Sequence, residues 1–409
     1  MGRILRLVLG NVLVLVLLVL IANVLAAGAY DYSNWWSNQK EKPDERVDLP
    51  NYVDKARAKQ ILSAKLIFAE TRKLETAYVP FLEWRRKAFR GEAVNIDENG
   101  RRIHRAPGPG DRGVVRFFGG STTWGTGVDD DHTIPALFNA LHPDWTVVNH
   151  GESGYFSRQE LESLINTVHL GEPVDLVVFY DGYNDVRNLC RRDVDLTGHG
   201  RQGQIAALVD PGPLLLQVFT NGLRYLVQDL REVAGRLVVE ESRCVADPAY
   251  GDRVASMTFA NWRTAREVAR LAGADFVAIL QPVAAIGRPN LSHLADDSFS
   301  LDDYASAQKN QNKLGRGADH RIVYPRLQEK IAGAGVDWVH DLTDAFDGDE
   351  FIYTGPCHVT ENGNAIAAQR ISEIVRPILE ARMRGESGSG ARARPASVTA
   401  PDESPAVPD

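Results

Sequence analysis

The chain has 409 residues, 44% of them hydrophobic and 24% charged, with a formal net charge of -8. This is a globular composition, ample for one large domain or two small ones, and it excludes wholesale disorder. An acidic balance without a basic stripe of interleaved aromatics argues against a nucleic-acid partner, because phosphate binding needs a positive face. Bulk charge leaves an anionic glycan open.

The amino end sets the compartment. Arg3 and Arg6 precede residues 7–30, which carry no charge and only Asn11 and Asn23 as strongly polar interruptions, and Asp31 closes the run. At about 1.5 Å per helical residue the run is long enough to cross a bilayer. Arginines before it and an acid after it leave the amino terminus cytoplasmic and the remainder outside. Residues 1–30 therefore read as a single-pass transmembrane signal anchor, with the domain that follows periplasmic or at the cell surface. The alternative is a cleaved signal and a secreted protein, since Ala27-Gly28-Ala29 fits a small-x-small cleavage pattern. In an oxidising compartment Cys190, Cys244 and Cys357 allow one disulfide and one free thiol, and Cys190 with Cys244 would staple the segment between them. Unpaired buried thiols are the alternative.

Residues 31–110 read as a juxtamembrane linker and a helical segment. Trp35 and Trp36 suit a membrane interface. Within residues 51–89, Ile61, Leu62, Leu66, Ile67 and Leu74 recur at helical spacing. Residues 111–384 then alternate strands and helices, the signature of right-handed βαβ units and a parallel sheet. Strands are predicted at 113–118, 145–149, 174–180, 275–281 and 336–340. Helices are predicted at 133–141, 158–169, 255–272, 321–332 and 363–384. An insertion at 190–254 carries a predicted helix at 214–240. The loop at 282–319, with Tyr304, reads as a lid or a surface excursion. Residues 385–409, rich in Gly, Ser, Ala and Pro, read as a disordered tail.

Four polar loops follow strands or open helices. The apolar run VVRFF stops at Gly119-Gly120-Ser121, which puts a hydroxyl at the carboxyl end of a buried strand, where ligands collect in parallel sheets. NHGESG follows the second strand with Gly154, DGYND follows the third with Asn184, and CHVTENGN near the end holds His358. A serine nucleophile needs a base, and a tetrahedral intermediate needs donors aimed at its oxyanion. His358 suits the first need, and a bare Gly154 N–H with the Asn184 amide suits the second.

On these four blocks, in this order, the chain resembles the SGNH, or GDSL-type, hydrolase family, from roughly residue 114 to 384. Gln281-Pro282 after the fourth strand resembles a subgroup of bacterial exported members. The resemblance implies a three-layer α/β/α sandwich of flavodoxin-like type, with Ser121 as nucleophile and His358 as base. It also implies an oxyanion hole from the Ser121 N–H, the Gly154 N–H and the Asn184 side chain, and no cofactor. Two residues depart from the family pattern. Gly120 stands where the family usually has aspartate, and Gly355 stands where it has the acid that orients the histidine. Asp347, Asp349 or Glu350 could reach His358 instead, with Asp349 the foremost candidate, or the site is a serine–histidine dyad, the reading favoured here.

The run Asp129-Asp130-Asp131-His132 lacks a ligand set of recognisable spacing, so no metal is assigned; adjacent acids on a loop usually face water. The resulting expectation is a serine esterase acting on ester-linked acyl groups, foremost O-acetyl, of an extracytoplasmic glycan or on a small ester. The same residues would serve a polysaccharide O-acyltransferase, and a non-catalytic glycan-binding relative is the alternative of another class.

Overall fold

The computed structural model describes residues 2–39, 44–53, 64–104, 110–209, 242–294 and 317–385. Internal contacts divide the chain into two compact units, residues 1–43 with 192–242, and residues 44–191 with 243–409. In the first unit, helix α1 spans Gly2–Gln39. Its stretch Gly2–Tyr30 has a mean hydropathy of 2.9 and is long and apolar enough to cross a membrane, as a signal sequence also is. A short helix, Gln202–Val209, belongs to the same unit. The helix predicted at 214–240, Tyr304 and the tail from 386 lie outside the described residues.

The second unit is built on a five-stranded parallel sheet. Strand β1 is Val114–Gly119, β2 Thr146–Asn149, β3 Leu176–Asp181, β4 Asp275–Leu280 and β5 Val339–Asp341. The spatial order is β2-β1-β3-β4-β5, with every neighbouring pair parallel. All five predicted strands are present, within a few residues of the expected bounds. The central strands are predominantly apolar because both faces are covered: Phe117, Phe118, Val177, Val178, Phe179 and Ile279 are fully buried, and the one charged side chain inside β1, Arg116, pairs with Glu172 at 2.7 Å. Each such side chain contributes about 1.5–3 kcal/mol.

Helix α2, Ala64–Thr71, precedes β1, and between β1 and β2 run α3, Ser121–Trp124, and α4, Ile134–Leu141. Beyond them come α5, Ser157–His169, and α6, Tyr183–Leu189, followed by α7, Pro248–Leu271, α8, Gly317–Ala334, and α9, Glu361–Met383. Right-handed crossovers decide which face each helix covers. The step from β1 to β2 runs one way along the sheet and the steps to β3, β4 and β5 run the other, so α4 falls on one face and α5, α7 and α8 on the opposite one. The packing agrees: α7 packs on both α5 and α8, whereas α9 packs on α4. The result is the three-layer α/β/α sandwich expected from the sequence, with the flavodoxin-like order 2-1-3-4-5.

Residues 44–104 belong to the same compact unit as the sheet. Here the predicted helical segment at 51–89 is corrected over its described part from residue 72 on, while residues 54–63 lie outside the described residues. Among the described residues of the segment Pro50–Val53 and α2 are helical, and two short antiparallel pairs follow, Thr76–Ala77 with Arg85–Arg86 and Phe89–Arg90 with Asn95–Ile96. The Glu70 carboxylate near the end of α2 accepts the backbone N–H groups of Glu92, Ala93 and Val94 at 2.8, 2.9 and 2.9 Å, which draws the chain into a turn. Pro80 and the left-handed backbone at Phe81 and Glu83, φ 65° and 71°, then preclude helix across the next stretch. Leu74 thus keeps a place against the buried Ile67, Val94 and Trp124 without being helical.

Cys190 and Cys244 form a disulfide with a Cα–Cα distance of 5.1 Å, and Cys357 is free and buried. The bond closes a loop of 54 residues in sequence and brackets residues 192–242. By chain-entropy reasoning it stabilises the folded chain by about 2–4 kcal/mol. Replacing both cysteines by serine is expected to lower the denaturation midpoint by that equivalent, and added reductant is expected to lower the wild type to the same midpoint while leaving the variant unmoved.

Candidate active site

The carboxyl ends of β1, β2 and β3 meet where the strand order reverses, the position at which open α/β sheets bind ligands. After β1 the chain turns at Gly120 and enters α3 at Ser121. The turn is held from several sides. Thr122 Oγ1 donates to Gln281 Oε1 at 3.2 Å, Asn149 Nδ2 donates to the Thr123 carbonyl at 3.0 Å, and the Glu152 N–H donates to the Gly119 carbonyl at 3.0 Å. Arg102 fixes the exit. Its buried guanidinium pairs with Asp130 at 3.0 Å and donates to the carbonyls of Gly125 and Val128 at 2.6 and 2.7 Å.

Ser121 Oγ lies 2.7 Å from His358 Nε2, a hydrogen bond closed across 237 residues. His358 leaves a loop whose ends pair Thr354 N–H with the His358 carbonyl and Thr360 N–H with the Ile352 carbonyl, just before α9. Burial holds the imidazole at about 3, below its ordinary 6.5, and the positive charges of Arg46 and Arg187 act in the same sense. The ring is therefore neutral at neutral pH. With Nε2 accepting from the serine hydroxyl, its proton sits on Nδ1.

The other two sequence-predicted residues arrive at the same edge. Gly154 has φ +85°, a backbone that a side chain strains, and a Cβ built there would meet only Trp84, at 3.5 Å. Among the described residues neither the Ser121 nor the Gly154 N–H has an acceptor. Asn184, in the first turn of α6, donates from Nδ2 to the Tyr155 carbonyl at 2.7 Å, leaving its second amide hydrogen. A Cβ at Gly120 would come within 2.4 Å of that Nδ2. The glycine at the position of the family's aspartate is thus a close-approach residue that lets the amide reach the serine turn.

Behind Asn184, three carboxyls are buried together. Burial raises Glu160, Asp181 and Asp185 alike. Donors converge on Asp185 from the Ser157 hydroxyl, the Ser157 N–H at 3.2 Å and Thr258 Oγ1 at 3.1 Å, and these hydrogen bonds oppose the effect of burial there. Trp262 Nε1 donates to Asp181 at 2.8 Å. The cluster ties α5, α6 and α7 together immediately behind the asparagine.

No carboxylate hydrogen-bonds His358 among the described residues. Asp349 is exposed, and its backbone carbonyl accepts from Asn290 at 2.8 Å. Glu350 accepts from Asn362 at 2.6 Å, and Asp347 from the Arg288 N–H at 2.5 Å. Gly355 does lie beside the ring: a Cβ there would stand 3.7 Å from His358 Nδ1 in ordinary contact. The acidic run at 129–132 is structural. Asp130 is buried against Arg102, and Asp129 accepts from His132 Nδ1 at 2.6 Å and from the Asp131 N–H at 3.1 Å, so two of these acids do not face water as expected.

Sequence reasoning missed α3 and α6, both read as loops. The signal for α6 lies in Tyr183, Val186 and Leu189, buried at three-residue spacing. It also missed Trp84, whose Nε1 donates to the Ser153 carbonyl at 3.2 Å and whose ring packs on Tyr155 beside Gly154.

Fold and site define an α/β protein with a serine–histidine pair at the switch point of a flavodoxin-like sheet. No protein-family model matches the chain, and no curated protein matches it. Among solved structures it is similar to a member of the lipolytic G-D-S-L family from Veillonella parvula, at 13% identity, with 64% of this chain and 98% of that chain covered and a TM-score of 0.35. It is similar to Est24, a carbohydrate acetylesterase from Sinorhizobium meliloti, at 11% identity, 65% and 99% coverage and a TM-score of 0.37. An aryl esterase of M. smegmatis matches at 13% identity, 65% and 99% coverage and a TM-score of 0.37. Likenesses of this size transfer no activity to the chain.

Two substitutions test the geometry. Gly355→Asp places a carboxylate against the Nδ1–H and is expected to raise turnover of an ester about tenfold, a fraction of the ~10⁴ that an orienting aspartate is worth in a serine-protease triad. Because the wild-type ring titrates near 3, its activity is expected to persist as pH falls below 6.5, and the new carboxylate moves the acid limb of the pH–rate profile upward. Between those two pH values the unfolded chain binds a proton the folded ring refuses, so stability declines with falling pH in that window and not above it. Gly120→Ala displaces Asn184 and is expected to lower kcat about 10²-fold, as loss of one oxyanion donor does.

Proposed function

We propose that this chain is a serine ester hydrolase of the SGNH type that removes O-acyl groups, foremost O-acetyl, from an extracytoplasmic glycan through an acyl-enzyme. The observation that carries this reading is the 2.7 Å hydrogen bond from Ser121 Oγ to His358 Nε2. In the reaction His358 takes the serine proton as Oγ attacks the ester carbonyl. The Ser121 and Gly154 N–H groups and the Asn184 amide receive the oxyanion. His358 then protonates the departing sugar alkoxide, and water, activated by the same imidazole, releases the acyl group and restores the serine. Asp185 and its hydroxyl donors act through Asn184 by holding the first turn of α6.

Placement outside the cytoplasm is supported by the charge order around the apolar stretch Gly2–Tyr30 and by the Cys190–Cys244 disulfide, a bond of oxidising compartments. A glycan substrate suits that placement, since surface and secreted polysaccharides there carry ester-linked acyl groups. Membrane tethering through α1 would keep the enzyme at the envelope.

The test is hydrolysis of an activated acetyl ester by the full-length chain in detergent, with fluorophosphonate labelling in parallel. Ser121→Ala is expected to abolish labelling and reduce kcat by at least about 10³-fold. A wild type that neither hydrolyses nor labels would overturn the esterase reading.

A further inference from the structure

Arg187 follows Asn184 by three positions on α6, the spacing that places two side chains on one helix face. It is exposed, and among the described residues it makes no ion pair and no hydrogen bond. Its charge nevertheless acts on both His358 and Cys357, which belong to the loop before α9. The guanidinium is therefore one helical turn from Asn184 and within electrostatic reach of His358. Arg46 also acts on His358, but it is committed: Asp44 holds it at 2.8 and 2.7 Å, and it stacks 4.2 Å from the Phe68 ring centroid. Arg187 is the uncommitted cation.

A cation in this place works against the reaction just described. The imidazole becomes imidazolium in the transition state, and with glycine at 355 no carboxylate among the described residues stands at Nδ1 to stabilise it. Arg187 raises the energy of that charge unless something negative arrives with the substrate. In a chain of net charge -8, a guanidinium one helical turn from Asn184, without an ion-pair partner among the described residues, is a local reversal of sign that draws anions.

We propose that Arg187 is a specificity-determining residue that binds a fixed negative charge, carboxylate or phosphate, on the alcohol portion of the ester, so that the substrate is an acylated acidic glycan. The bound anion supplies two things at once. It anchors the sugar next to Asn184, and it neutralises the field of Arg187 as the imidazolium forms. Binding and turnover both gain, which distinguishes the arrangement from a remote anchor that lowers KM alone.

This inference rests on the esterase reading, and the experiment separates the two. Full-length wild type, Arg187→Ala, Arg187→Glu and Arg187→Lys are assayed on an O-acetyl glucoside, an O-acetyl glucuronoside and an O-acetyl glucose 6-phosphate, with fluorophosphonate labelling of Ser121 reporting an intact site in each. The wild type is expected to prefer the charged esters about tenfold in kcat/KM, the worth of one charge-assisted hydrogen bond, with KM and kcat both contributing. Arg187→Glu is expected to erase or invert the preference, Arg187→Lys to retain most of it, and rising ionic strength to reduce it in the wild type. Preference for the glucuronoside alone, or for the phosphate alone, names the anion. Ser121-dependent hydrolysis without preference for either charged ester, or a preference that Arg187→Glu leaves in place, overturns the proposal and spares the esterase reading. No Ser121-dependent hydrolysis of any ester overturns both.

Discussion

The reversal of strand order between β1 and β3 is the constraint on which the rest of the structure depends. A right-handed crossover sends the chain from β1 to β2 on one side, and the next must pass back over β1 to reach β3, so the loops after β1 and β3 diverge toward opposite layers. Between them lies the switch point, where open α/β sheets place a ligand-binding crevice. Ser121 comes from the β1 loop, Gly154 from the β2 loop and Asn184 from the β3 loop, so three of the four chemical residues are supplied by the reversal itself. His358 is supplied differently. It reaches the crevice only because the chain, after β5, crosses to pack α9 against α4.

Bringing polar groups to a buried edge has an electrostatic consequence, and the chain meets it in three ways. Arg102 and Asp130 are buried as an ion pair, surrounded by carbonyls and an asparagine amide that satisfy the remaining donors and acceptors. Glu160, Asp181 and Asp185 are buried together, and burial raises all three, so they hold protons more tightly than exposed acids do. His358 is kept neutral. That solution suits a base: an imidazole that is uncharged at rest takes the serine proton without first releasing its own. The same burial makes the imidazolium harder to form, so any charge near the ring matters more than it would in water.

The sheet was legible in the sequence because its strands are buried on both faces: runs such as VVRFF and LVVFY bounded by glycine and aspartate admit little else. The four site residues were legible for a related reason. Each sits where an apolar run breaks into glycine, asparagine and a hydroxyl or imidazole, and that punctuation survives without knowledge of the fold. Residues 64–96 were not legible. Leu66, Ile67 and Leu74 keep a helical spacing, yet a single carboxylate, Glu70, captures three backbone donors some 20 residues further on, and periodicity carries no record of such a contact. Short helices such as α3 and α6 escape for the opposite reason, being set by a strand end and a glycine turn rather than by a repeating face. The partner of His358 Nδ1 is a matter of reach: of the neighbouring acids in sequence, Asp347 and Glu350 accept hydrogen bonds elsewhere and Asp349 is exposed.

The two glycines that depart from the family pattern, Gly120 and Gly355, have opposite physical effects. Gly120 removes a side chain so that Asn184 can approach, with its amide where a Cβ would otherwise be. It tightens the oxyanion side of the site. Gly355 removes a side chain and brings nothing closer, leaving the Nδ1–H without a carboxylate. It loosens the base side. A site strengthened where the negative charge develops and bare where the positive charge develops is unbalanced in isolation, and Arg187 deepens the imbalance. Balance returns only when an anion enters with the substrate, which turns the missing acid from a defect of the base into a condition on what the base will serve.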